Sequence, residues 1–218
     1  MDLLTATQRL AEGFSYTLLL FFVTLIVALP LGLIIAFGSM SRFKPLSILS
    51  RGFVWVIRGT PLMLQIVIFV FGPGLWLDFP IRGMTLTFAM VSLAFIINYA
   101  CYFSEIYRGG IQSISNGQYE AGMVLGMTKG QIFRHVVLLQ VIKRIVPPMS
   151  NEIITLVKDT SLAATAISIE IIYVAKQLMN DYVILWPLFY AGLFYLIFNG
   201  LLSFLLGKLE KKLDYFKA

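Results

Sequence analysis

A chain of 218 residues that is 59% hydrophobic and 13% charged, with a mean hydropathy of +0.86, is too apolar for a soluble domain, where roughly 25% of residues are charged. A net charge of +6 would suit nucleic acid in a polar chain; in one this apolar, basic residues mark cytoplasmic loops, and no nucleic-acid partner is expected. The single cysteine, Cys101, lies in an apolar stretch and can form no intrachain disulfide.

In chain order, residues 13–41 carry no charge, and about 20 apolar residues suffice to cross the hydrocarbon layer. The reading is a retained span rather than a cleaved signal peptide, because the run is long and Asp2 and Glu12 offset Arg9 ahead of it. Four further apolar stretches follow at 60–77, 84–104, 145–157 and 182–207, the third of these interrupted by Glu152. Five transmembrane helices in a single all-α membrane domain, residues 1–218, are therefore expected, with no internal repeat.

Lysines and arginines set the orientation. Alternating segments give Arg9, Arg82, Lys158 and Lys176 to one side and the other thirteen basic residues, Lys217 among them, to the opposite side. The N-terminus is expected outside and the C-terminus in the cytoplasm. Residues 105–144 become the longest cytoplasmic loop. Residues 161–174 are apolar except for Glu170 and too short to span, so a re-entrant or interfacial helix is expected there. Asp159, Thr160 and Ser161 are its candidate N-caps.

Within the loop, residues 118–133 (QYEAGMVLGMTKGQIF) read as a helix with Gly122, Gly126 and Gly130 four apart on one face. Such a smooth polar helix either docks into a partner's groove or packs on its own bundle. Glu120-Ala121-Gly122, with Gly126 six residues after the glutamate, resembles the EAA loop of permease subunits in bacterial ATP-binding-cassette importers. Arg58-Gly59-Thr60-Pro61-Leu62, 105–112 (EIYRGGIQ), 147–152 (PPMSNE) and 158–162 (KDTSL) are similar to the branch that imports polar amino acids. The chain departs from that pattern at Gly122, where alanine is usual, and at Leu139, where the loop usually ends in proline; Pro147-Pro148 can supply the break instead.

The resemblance implies a type I importer permease fold in the bacterial inner membrane, with Glu120, Ala121, Gly122 and Gly126 forming a cytoplasmic coupling helix. It implies two ATPase subunits that bind ATP and Mg, an extracytoplasmic amino acid-binding protein, and a second permease subunit, most simply a copy of this chain. No cofactor is expected in the chain itself. It has no Gly-x-x-x-x-Gly-Lys-Ser/Thr loop to cradle phosphates, and is not read as an enzyme. His135 stands alone, without a second histidine or a cysteine to complete a metal site.

Polar groups at membrane depth face a bundle interior or a water-filled cavity. Asn98, Tyr102 and Glu105 share one face of the third span, and Glu152, Thr155 and Asp159 share one face of the fourth. Glu105 is expected to hold the loop through Arg108, Lys143 or Arg144. Asn98 serves either a ligand or an interhelical bond. Glu152 has no evident cation at its depth. Asn98, Tyr102, Glu152, Thr155, Asp159 and Ser161 are the candidate substrate residues. Two carboxylates on one face favour a cationic amino acid, arginine, lysine or histidine. The alternatives are a stand-alone secondary carrier or channel, disfavoured by the lack of an inverted repeat, and a non-transporting scaffold.

Overall fold

The computed structural model describes residues 3–167 and 169–213; Asp2 and Lys217 lie outside the described residues. Among those described there is no strand. The helices are α1 (Leu3–Ser39), α2 (Lys44–Arg58), α3 (Leu62–Trp76), α4 (Met84–Gln112), α5 (Asn116–Val124), α6 (Lys129–Ile132), α7 (Leu138–Asp159), α8 (Ile171–Tyr182) and α9 (Trp186–Leu213). A π-helical turn (Phe133–Val137) joins α6 to α7, and a 3-10 segment (Thr160–Thr165) continues α7.

Length and composition alone make α1, α4 and α9 capable of crossing a bilayer. At 37 residues α1 is about 55 Å long, well beyond a hydrocarbon layer of about 30 Å. It lies along α4 through small residues. A Cβ at Gly32 would sit 2.8 Å from the Ala100 carbonyl and 2.9 Å from the Phe103 Cβ, so only glycine permits this approach. Ala28 and Ala36, one turn either side, are fully buried. Leu20, Phe21, Phe95, Tyr99, Phe103 and Leu156 fill the core between α1, α4 and α7.

The second apolar stretch is preceded by a helix over 44–58 that the sequence reading does not assign, and α2 meets α3 at a bend of 100°. The cause is Gly59-Thr60-Pro61: Pro61 has no amide hydrogen and pushes Thr60 out of helical geometry, so α3 restarts with Pro61 extended as its cap at φ −62, ψ 134. Ser47 and Arg51 donate to the Ser39 carbonyl at 2.7 and 3.0 Å, tying α2 to the end of α1. At 15 residues α3 measures about 22 Å, carries Pro73 inside it and falls within the stretch expected as the second span, 60–77.

Three other expectations are corrected. No break precedes the fourth span: Pro147 and Pro148 lie inside α7, and the irregularity is the π turn upstream. Residues 161–174 do not form one helix, nor do Asp159, Thr160 or Ser161 cap it. Asp159 has helical angles (φ −67, ψ −23) and no side-chain cap bond, while Thr160 and Ser161 donate back to the carbonyls of Val157 and Lys158. The helix begins later as α8, and its N-cap is Glu170.

Candidate functional site

The corner between α2 and α3, one face of α4 and one face of α7 enclose a cleft of about 530 Å³. Asn98, Tyr102, Glu152, Thr155 and Asp159, predicted separately on two helix faces, all line it. Spacings of three, four and seven residues put each set on one face, and the packing of α4 against α7 turns the two faces toward each other. Ser161 does not line it; its hydroxyl donates to the Lys158 carbonyl at 2.7 Å.

Two residues that sequence reasoning did not assign, Tyr99 and Arg58, complete the walls, and a third, Gln65, is bonded to the lining residue Asn98. Tyr99, 1% exposed, donates its hydroxyl to Asp159 Oδ2 at 2.7 Å, fixing one carboxylate against α4. Gln65 accepts from Asn98 Nδ2 at 3.0 Å and donates to the Ile57 and Thr60 carbonyls, so Asn98 is at once an interhelical bonding residue and part of the lining. Arg58, at the corner, carries the positive charge that Glu152 was expected to lack. Its guanidinium lies 4.9 Å from the Tyr102 ring centroid and 3.7 Å from Glu105. Contacts of the first kind are worth about 0.5–2 kcal/mol, depending on solvent access. Glu105 also accepts from Arg108 at 2.5 and 3.0 Å, one of the partners expected for it. Of the lining residues, Arg58 alone is cationic, and Glu152 and Asp159 are the two acids, leaving a formal charge of −1.

The expected coupling helix is two short helices. After α5 the chain turns at Gly126, φ +72, where the Gly126 amide donates to Met123 and the Met127 amide to Gly122, a glycine-terminated helix end. Thr128 then opens α6 with a reciprocal cap: its hydroxyl accepts from the Gln131 amide while Gln131 Oε1 accepts from the Thr128 amide. Gly122, Gly126 and Gly130 therefore do not share a face. Gly122 is buried against Ile132, whose Cγ1 would stand 2.6 Å from an added Cβ. Its missing side chain closes the hairpin rather than smoothing an outer surface. Glu120 and Ala121 are exposed, and beside them Met123, Val124 and Leu125 are 53%, 87% and 78% exposed.

The chain is similar to known proteins over nearly its whole length. The profile of the binding-protein-dependent transport system inner membrane component family matches residues 28–215. GlnM of Bacillus subtilis, described as a probable glutamine ABC transporter permease protein, is 33% identical over 93% of this chain and 92% of its own length. ArtQ of the same organism, an arginine transport system permease protein, is 35% identical over 93% of this chain and 91% of its own. A crystal structure of an amino acid ABC transporter with histidines is similar at a TM-score of 0.86, with 29% identity over 97% of this chain and 99% of that one.

Proposed function

We propose, for a chain that belongs to the family of binding-protein-dependent transport system inner membrane components, that it is the permease subunit of an importer of polar amino acids, with basic ones preferred. As a family member it is a multi-pass protein of the bacterial inner membrane. The observation that carries the substrate reading is the cleft: two carboxylates from α7 and one guanidinium from α2 converge on it, with a formal charge of −1. Arginine or lysine carries a net +1 and balances that charge, whereas glutamine leaves it uncompensated. Glu152 and Asp159 meet the cationic side chain. Arg58, the Asn98 amide and the Tyr102 hydroxyl are groups on the walls able to donate to an α-carboxylate.

In this reading α1, α3, α4, α7 and α9 span the membrane with the N-terminus outside and the C-terminus inside. Two copies of the chain pair around one pathway. A binding protein delivers the amino acid from outside, and two ATPase subunits, holding ATP and Mg, dock on the α5–α6 hairpin through Glu120, Ala121 and the exposed Met123–Leu125 edge. A physical link runs from hairpin to cleft: from α6 through the π turn to the end of α7 the helix is unbroken. Glu152 lies about 21 Å along it from Leu138, so tilting the hairpin moves the carboxylate wall.

Uptake into sealed vesicles tests the whole reading. With the ATPase and binding protein present, arginine should accumulate against its gradient only with ATP inside. Uptake by the chain alone, without ATP, would favour the secondary carrier. Cysteine labelling at Lys212 tests orientation: only reagents that cross into the cytoplasm should react.

A further inference from the structure

We propose that Gln65 is a specificity-determining positioning residue: it fixes the sense of the Asn98 amide, so that the amide oxygen receives the α-ammonium of the amino acid. On the reading of the cleft as a basic amino acid site, on which this rests, Glu152 and Asp159 take the cationic side chain and Arg58 the α-carboxylate. The α-ammonium is the charged group left there without an acceptor.

The corner between α2 and α3 creates the need for Gln65. A helical carbonyl at Ile57 would accept from the amide four residues on, but that residue is Pro61, which has no N–H. Gln65 supplies the missing donor: its Nε2 lies 2.8 Å from the Ile57 carbonyl, 3.2 Å from the Thr60 carbonyl and 2.9 Å from Thr60 Oγ1. The Thr60 hydroxyl donates to the Val56 carbonyl at 3.0 Å, so toward Gln65 it accepts. Gln65 is 5% exposed, and a reversed amide would set its Oε1 against two carbonyl oxygens. Its sense is therefore fixed.

That sense passes to Asn98. With Nε2 committed to the corner, Gln65 has only Oε1 to offer α4, and Asn98 Nδ2 donates to it at 3.0 Å. Turning the Asn98 amide over would bring two amide oxygens together. Asn98 lines the cleft with Tyr102 and Glu152, and among the described residues its Oδ1 accepts no hydrogen bond. A free amide oxygen is matched to an ammonium, which brings three donors and no acceptor. The second Nδ2 hydrogen remains for the α-carboxylate.

The test measures displacement of labelled arginine from the permease assembled with its ATPase, without the binding protein, whose own selectivity would otherwise enter. Arginine is compared with 5-guanidinopentanoate, which lacks the α-ammonium. The parent should favour arginine by about thirtyfold, part of which comes from net charge alone. Gln65→Met, of similar volume, should cut that preference to about threefold and lower Tm, because the Ile57 carbonyl loses its donor. Gln65→Glu keeps an acceptor for Asn98 and should retain the preference, although the corner weakens. Asn98→Leu removes the oxygen, leaves Gln65 on its corner carbonyls, and should cut the preference as Gln65→Met does. A purely structural Gln65 would weaken both ligands alike, and a parental ratio in Gln65→Met overturns the proposal. Should that variant not fold, a parental ratio in Asn98→Leu overturns it instead. Equal binding of the two ligands by the parent does so as well. A parent that binds no arginine at all overturns the reading of the cleft, and this role with it.

Discussion

Two acidic centres flank the end of α7, and they are built in opposite ways. Glu170 is 1% exposed and fully bonded: Oε1 accepts from Thr17 at 3.2 Å and Tyr195 at 2.8 Å, while Oε2 accepts from the amides of Ile172 at 2.7 Å and Tyr173 at 3.3 Å. It caps α8 and ties it to α1 and α9. Glu152 and Asp159 line an open cleft. Asp159 has one bond, from Tyr99, and Glu152 has no hydrogen bond or ion pair among the described residues. A buried carboxylate with every lone pair occupied has nothing left to offer a ligand, and a carboxylate at a cleft wall with free acceptors has. Free acceptor capacity, rather than burial, is what sets the cleft carboxylates apart from Glu170.

The first way to break that contrast carries the largest effect. Glu170→Ala removes an N-cap and the carboxylate that Tyr195 and Thr17 donate to, leaving them only Thr160 and the Gly13 carbonyl, at a cost of about 3 kcal/mol. Thermal unfolding in detergent should show a large fall in Tm together with a loss of yield. Glu170→Gln, which keeps the volume and one acceptor, should fall between. An Ala variant with parental Tm but no transport would move Glu170 into the functional centre and erase the distinction.

The cleft should respond in the opposite sense. Glu152→Gln and Asp159→Asn should leave Tm unchanged and weaken arginine, by about 30-fold to several thousand-fold if a desolvated charged contact is lost. Glutamine should suffer less. Vesicle uptake at graded arginine and glutamine concentrations measures both. Should each variant carry arginine as the parent does, these carboxylates are not the site.

A smaller effect is expected at the hairpin. Val124→Asp or Leu125→Asp places a charge on the exposed edge and should weaken ATPase copurification by about tenfold each, with the cleft untouched. Gly126→Ala tests the turn instead: a left-handed residue with a Cβ costs about 1–2 kcal/mol, so coupling should weaken through local unwinding. A bulky residue there cannot separate surface from strain.

The smallest change, Tyr99→Phe, deletes only the hydroxyl that orients Asp159 and should weaken arginine about fivefold. A null effect would leave Asp159 held by its own helix. An effect as large as Asp159→Asn would make Tyr99 a ligand contact in its own right.

What the sequence by itself determined was local in character. The apolar stretches that became α1, α4 and α9 follow from hydropathy. The faces carrying Asn98 with Tyr102, and Glu152 with Thr155 and Asp159, follow from helical spacing, because side-chain direction repeats with the helix whatever surrounds it. A further local signal lies in α2, where Lys44, Arg51 and Arg58 are seven apart and so share one helix face. Gly126 was noticed, but as a smooth spot on a helix, where its left-handed angle ends one. The tertiary structure alone decided the rest. A bend of 100° at Gly59-Thr60-Pro61 carries Arg58 to Tyr102 and Glu105, and the approach of α4 to α7 joins Tyr99 to Asp159 across 60 residues. Glu170 reads in the sequence as one stray charge in an apolar run. It became a structural keystone because α1, α9 and the start of α8 each bring it a donor, and where three elements meet depends on how the bundle packs rather than on any one stretch of chain.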